Sequence, residues 1–121
     1  MLFRSPHYAS PESVIQNSLI SEGCNIEGHI DFSVLFAGVT IEPGAVVRDS
    51  IIMPNTTIKK GAVVEYAIVG EDCVIGENVK VGARPESIED KDTWGVAVIG
   101  HGVTVSDNAE IKPKAMISAD V

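Results

Sequence analysis

An aliphatic residue returns every six positions along most of this 121-residue chain, with a small uncharged residue two places ahead of it. Leu35, Ile41 and Val47 set the rhythm; Ile52, Ile58 and Val64 repeat it, and Val69, Ile75 and Val81 repeat it again. Ile20 and Ile26 precede the series, and Ile99, Val105, Ile111 and Ile117 resume it after a gap. The small column runs in phase from Ser18, Cys24 and Ser33 through Ala62 and Cys73 to Ala109 and Ala115. Three residues after most of the aliphatics stand turn formers such as Gly38, Gly44, Asn55, Gly61, Asp72 and Asn78. These types tolerate left-handed backbone or bond their own main chain in a turn. Lys114 is the exception. Three columns in phase at a period of six predict an all-β solenoid, a parallel β-helix whose short strands stack coil on coil.

Leu35, Ile52 and Val69 are seventeen residues apart, so a three-sided coil has two six-residue sides and one shortened by a residue. The expected shape is a triangular prism of about five coils. Its first coil is blurred: only fifteen residues separate Ser18 from Ser33, the third face is shared between Ile30 and Phe32, and His29 takes a corner position. Residues 1–13, with Pro6 and Pro11, read as an irregular lead-in, and residues 14–121 as the β-helix. Residues 82–95 break the rhythm, carry charge and hold the single tryptophan, so they read as an excursion from the prism. Long loops on a rigid stack are common places for function. Proteins with this rhythm resemble the left-handed β-helices, which depart from the usual right-handed crossover.

Composition narrows the function. An aromatic content of 5% suits a prism too slender for rings, and a net charge of −8 disfavours a nucleic-acid partner. No apolar run approaches a membrane span or a signal-peptide core, which predicts a cytoplasmic protein without a membrane partner. Cys24 and Cys73 share the small column three coils apart, roughly 14 Å at the inter-strand spacing and beyond disulfide reach, so they read as core. His7, His29 and His101 are scattered, and no spacing brings them to one metal or beside one nucleophile. Arg48 and Glu65, like Glu42 and Lys59, follow equivalent inward positions and read as cross-strand charge pairs. The expectation is no catalytic residue, no metal site and no cofactor site in this chain.

The run from Asn17 to Gly28, then Ser33-Val34-Leu35-Phe36, Asp49-Ser50-Ile51-Ile52-Met53-Pro54 and Trp94 to Gly100, carries more than a bare repeat. Together they resemble the carboxy-terminal β-helix of bacterial glucose-1-phosphate adenylyltransferases over roughly Ser5 to Gly102. That family joins ATP and glucose 1-phosphate into ADP-glucose and pyrophosphate in glycogen biosynthesis. The resemblance implies that ATP, Mg²⁺ and catalysis belong to a separate amino-terminal nucleotidyltransferase domain, with which this β-helix packs. It also implies assembly into a homo-oligomer or with a paralogous subunit, and sites for sugar-phosphate or nucleotide effectors. Lys60, Lys80, Arg84 and Lys91 are the basic residues expected to contact such an anion. The alternative is a free-standing hexapeptide acyltransferase using an acyl-CoA, which needs a histidine beside a cleft; the excursion is the segment able to build one. A purely structural subunit is a third reading.

Overall fold

The computed structural model describes residues 8–11, 13–89, 92 and 94–121. Strands of two or three residues alternate with turns and form three six-stranded parallel sheets, the faces of a triangular prism. Face A runs from Tyr8–Ala9 to Thr104–Val105, face B from Val14–Gln16 to Glu110–Ile111, and face C from Leu19–Ile20 to Met116–Ile117. Each strand pairs with the strand of the same face one turn away, which makes the chain a left-handed parallel β-helix. It has six turns. The sixth comes from Tyr8–Ala9, inside the segment expected to be irregular, which pairs with Asn25–Ile26.

Register puts like on like. Ile26, Ile41, Ile58 and Ile75 stack up face A, and Val47, Val64 and Val81 up face B. Leu35, Ile52 and Val69 do the same on face C. All are completely buried, and the small column between them is buried as well, except where Ala109 and Ala115 approach the upper end. Cys24 and Cys73 are buried free thiols within this core. Burial pushes both thiols up from their ordinary value, which keeps them protonated and inert.

The short corner is the one from face B to face C, and its geometry explains the serines. Asn17, Phe32, Asp49 and Tyr66 turn it with φ of 48–49°. Losing one residue there leaves the following backbone N–H without a carbonyl in line, and a hydroxyl replaces it. Ser33 N–H donates to Ser18 Oγ at 3.0 Å, Ser50 N–H to Ser33 Oγ at 3.2 Å, and Ala67 N–H to Ser50 Oγ at 3.2 Å. Each of the three hydroxyls donates in turn to the carbonyl two residues back, at 2.7–2.9 Å. Where the ladder reaches Ala67, which has no hydroxyl, Ala97 N–H bonds the Tyr66 carbonyl at 3.2 Å.

The second turn corrects the placing of His29. Only four residues separate Ile26 from Ile30, against six from Ile41 to Val47, so the A-to-B corner is two residues short. Gly28 fills the inward small position. A Cβ there would overlap the Ala45 carbonyl oxygen, so no other residue fits. His29 lies on a face B strand, beside Val14 and Val46, instead of turning the corner. Ile30 points inward at zero exposure and Phe32 outward at 61%, which resolves the blurred face. Lys114, the odd residue in the turn column, nevertheless takes the same left-handed backbone, φ 69°. No helix among the described residues is long and apolar enough to cross a membrane.

Candidate functional site

The excursion is an insertion at the short B-to-C corner of the fifth turn. Eighteen residues separate Val81 from Ile99, where five separate Val64 from Val69. The chain leaves at Gly82, φ 71°, and a Cβ there would overlap the Glu65 carbonyl oxygen. A single 3₁₀ turn at Pro85–Ser87 comes next. The neck is pinned by Trp94, whose indole N–H donates to the Ala83 carbonyl at 2.6 Å. The Trp94 ring meets Tyr66 edge-on, centroids 5.6 Å apart at 75°. From the turn above, Lys114 Nζ donates to the Asp92 carbonyl at 3.1 Å and Lys114 N–H to the Gly95 carbonyl at 2.9 Å.

Held this way, the insertion walls one side of an open cleft of about 640 Å³ against face B. Its other walls are the outward residues of the second to fourth turns. Register places Asp31 beside Arg48 and Arg48 beside Glu65. Glu65, 8% exposed, is clamped from both sides by one carboxylate oxygen: Arg48 Nη1 lies 3.4 Å away, and Arg84 Nε of the insertion lies 3.1 Å away. A buried carboxylate shared by two guanidinium groups holds the insertion in register more than it adds net stability. Phe32, Asp49 and Tyr66 line the rim with Glu86 and Ser87. Aromatic residues in left-handed backbone cost about 1–2 kcal/mol each. They are held there by ladder bonds: Phe32 N–H to the Gln16 carbonyl at 3.2 Å and Tyr66 N–H to the Arg48 carbonyl at 3.1 Å. The Tyr66 phenol is pushed above its ordinary value by desolvation first, then by the Asp49 and Glu86 carboxylates.

The charges in the cleft do not sum to an anion trap. Arg48 and Arg84 are offset by Glu65, and Asp31, Asp49 and Glu86 also face the space. Asp31 Oδ1 is buried and receives no hydrogen bond from a described residue. Among the described residues, no histidine lines this cleft; His29 lines a smaller one, of about 240 Å³, with Pro43 and Val46. Among the described residues, no three His, Cys, Asp or Glu side chains converge as metal ligands would.

Of the basic residues singled out from the sequence that are described, Arg84 alone lines this cleft. Lys60 is an exposed turn residue whose backbone N–H donates to Glu42 Oε1 at 3.0 Å. Lys80 projects from face B between Val63 and Glu110. Lys91 lies outside the described residues, as does His7. His101 sits exposed in the turn before the last rung, far along the prism from His29 in the second turn. Asp31 and Tyr66 were missed. The signal for Asp31 was its seventeen-residue spacing from Arg48, the same as from Arg48 to Glu65.

A family model described as GlmU-like, C-terminal hexapeptide, matches residues 6–106. Glucose-1-phosphate adenylyltransferases of Bacillus thuringiensis (strain Al Hakam), Bacillus mycoides (strain KBAB4) and Bacillus anthracis are each 46% identical to this chain over 97 residues. That match covers 80% of this chain and 24% of each relative, so the chain spans about a quarter of their length. Among solved structures, the acetyltransferase domain of PglB from Neisseria gonorrhoeae FA1090 in complex with acetyl coenzyme A superimposes with a TM-score of 0.69 at 20% identity. That superposition covers 86% of this chain and 50% of that one. At that identity the likeness establishes the β-helix alone. The chain belongs to the GlmU-like C-terminal hexapeptide family.

Proposed function

We propose that this chain is the assembly and regulatory β-helix of a cytoplasmic glucose-1-phosphate adenylyltransferase. In this reading ATP, Mg²⁺ and glucose 1-phosphate are handled by a separate nucleotidyltransferase domain that packs against the prism. The 46% identity over 97 residues to enzymes of that name carries the reading. It fits a stack whose interior is filled by aliphatic side chains and leaves no room for chemistry. An anionic effector at the cleft would have to overcome the surplus of carboxylates there by taking Arg84 and Arg48 from Glu65, so effector binding and release of the insertion would be one event. Lys60 and Lys80 stand as further anion contacts outside the cleft, and Lys91 as one beyond the described residues.

The test is an activity measurement with two arms. Purified chain is expected to release no pyrophosphate from ATP and glucose 1-phosphate; turnover would overturn the reading. Joined to a nucleotidyltransferase domain of that kind, the chain is expected to support pyrophosphate release. In that enzyme, Arg84→Ala is expected to shift the half-saturating concentration of a sugar-phosphate effector, with basal turnover unchanged. The acyltransferase reading would instead require coenzyme A binding by the chain alone, which calorimetry detects. His29, which lines a smaller cleft of about 240 Å³ with Pro43 and Val46, is the described histidine that this reading would use.

A further inference from the structure

The strands of face C carry only apolar residues; charged and aromatic side chains are set beside it, at the B-to-C corner. Phe32, Asp49 and Tyr66 turn that corner on successive turns, with φ of 48°, 49° and 48°. Each donates its N–H to the turn below, to the carbonyls of Gln16, Asp31 and Arg48, so the three stand directly over one another. Left-handed backbone favours Asn and Asp, and Asn17 and Asp49 supply them at two of the four corners. Phe32 and Tyr66 put rings there against that preference. Tyr66 recovers part of the cost against the Trp94 ring. Phe32 stands 61% exposed and gains little from the fold in return. The two rings therefore flank a carboxylate on the open side of the cleft, where the fold asks for neither of them.

We infer that the cleft, with the insertion latched, binds an aliphatic di- or polyamine, its ammonium groups on Asp31, Asp49 and Glu86 and its methylene chain along Phe32 and Tyr66. Charge is the first argument. Arg48 and Arg84 are both held by Glu65, and Asp31, Asp49 and Glu86 face the space as well, so four carboxylates meet two guanidinium groups. The second is a missing donor: Asp31 Oδ1 is buried and receives no hydrogen bond from a described residue. An acceptor left so is costly, and an ammonium group brings three N–H donors. The third is the rings. They stand one inter-strand spacing, about 4.8 Å, to either side of Asp49, so a cation seated on Asp49 falls within the roughly 6 Å over which cation–π attraction acts. The Tyr66 phenol, raised by desolvation first, is raised further by Asp49 and Glu86, which shows their negative potential reaching the ring. A metal ion would answer the charge and leave the rings unexplained, and no described carboxylates converge as ligands for one. The carboxylates come from the second turn, the third turn and the insertion, so they can seat more than one ammonium group. The inference goes beyond the proposed enzymatic setting and holds whether or not that reading is right.

Equilibrium dialysis of the purified chain against spermidine tests it, at about 0.15 M salt to screen diffuse attraction. The native chain is expected to bind one spermidine with a dissociation constant on the order of 100 µM. Asp49→Asn keeps a residue suited to the corner, as Asn17 shows, and is expected to weaken binding by more than about tenfold. Phe32→Asn suits the same backbone; it is expected to weaken binding about fivefold while leaving the urea midpoint unchanged or higher. Glu86→Gln, on the exposed insertion, is expected to weaken binding about fivefold. Glu110→Gln, on face B of the sixth turn and away from the cleft, is expected to leave it unchanged. No binding up to about 5 mM spermidine overturns the proposal. Binding that Phe32→Asn leaves within about twofold, or that Mg²⁺ matches in affinity, is charge alone and also overturns it. So does a Phe32→Asn chain of lower stability, since the ring would then serve the fold.

Discussion

Replacing Ile58 by alanine removes three carbon groups from the middle of the dry column, between Ile41 below and Ile75 above. The transfer loss is about 0.8 kcal/mol per group, or about 2.4 kcal/mol. The remaining cost depends on whether the neighbours can close the gap, and here they cannot. The turns on either side are fixed by ladder bonds: Lys59 N–H to the Ile75 carbonyl at 2.9 Å, Thr57 N–H to the Cys73 carbonyl at 3.0 Å, and Glu42 N–H to the Ile58 carbonyl at 2.9 Å. The cavity therefore persists and brings the total to about 4 kcal/mol. Ile117, half-buried on the last described turn with no described strand of face C above it, provides the contrast. Ile117→Ala should cost about 1 kcal/mol, since that end can relax or fray. Urea unfolding monitored by far-ultraviolet circular dichroism measures both; with an m-value of about 1.5 kcal/mol/M, the Ile58 variant should lose more than about 2 M in midpoint. If Ile58→Ala costs less than about 1 kcal/mol, or no more than Ile117→Ala, the rigid column is refuted.

Three further outcomes are expected. Gly82→Ala should destabilise the chain by about 3 kcal/mol, since it combines a left-handed backbone with overlap on the Glu65 carbonyl, and should free the insertion to proteases before the prism unfolds. Trp94→Phe keeps the ring against Tyr66 but loses the bond to the Ala83 carbonyl; a loss of about 1 kcal/mol and faster cleavage within residues 83–93 is expected by limited proteolysis. Both cysteines have folded-state values raised above the ordinary 9.0 by burial, so the unfolded chain gives up those protons first. Their contribution is complete below pH 9.0 and is lost as the pH climbs from there through the folded values. Melting temperatures across that range should fall less steeply in Cys24→Ala and Cys73→Ala than in the native chain; equal slopes would contradict the burial argument.

The parts of this structure that were legible in the sequence are those in which one residue does one periodic job. Ile41, Ile58 and Ile75 repeat because each turn meets the same inward requirement, and Asn55, Asp72 and Asn78 repeat because each turns a full-length corner. The hidden parts are those where two requirements fall on one position. Ser18, Ser33 and Ser50 satisfy the demand for smallness, and that concealed their second task of completing the hydrogen-bond ladder at the short corner. Phe32 and Tyr66 occupy left-handed backbone against their own preference, so residue type gave no sign of the corner they turn. His29 was misplaced because two missing residues in one corner shift the column, and Gly28 looks like any turn glycine until its contact with Ala45 is seen. The cleft was partly visible. The Arg48–Glu65 pair is implied by the seventeen-residue coil, but Arg84 reaches the same carboxylate from a segment with no period at all.

The prism also explains how three faces can diverge without disturbing the fold. Inward and outward positions alternate on every strand, so the column that holds the turns together shares no atoms with the surface chemistry of any face. Face B could gain an insertion at one corner, with Arg84 tying it down through Glu65, while Val64 and Val81 beneath continued the same stack. Face C could become wholly apolar while Ile52 and Val69 behind it remained unchanged. Each turn contacts only its neighbours, so a substitution confined to an outward position acts on association or binding with little effect on stability. That separation makes an outward substitution such as Ile68→Lys informative: Lys ends outside the ladder, the inward partners are untouched, and any change then reports on the face and not on the fold. It also makes the two surfaces independent of each other, so an effector at the B-to-C corner can reach face C only through the corner itself, where Tyr66 lies between the Trp94 ring and Ala67, the first residue of the strand that carries Ile68.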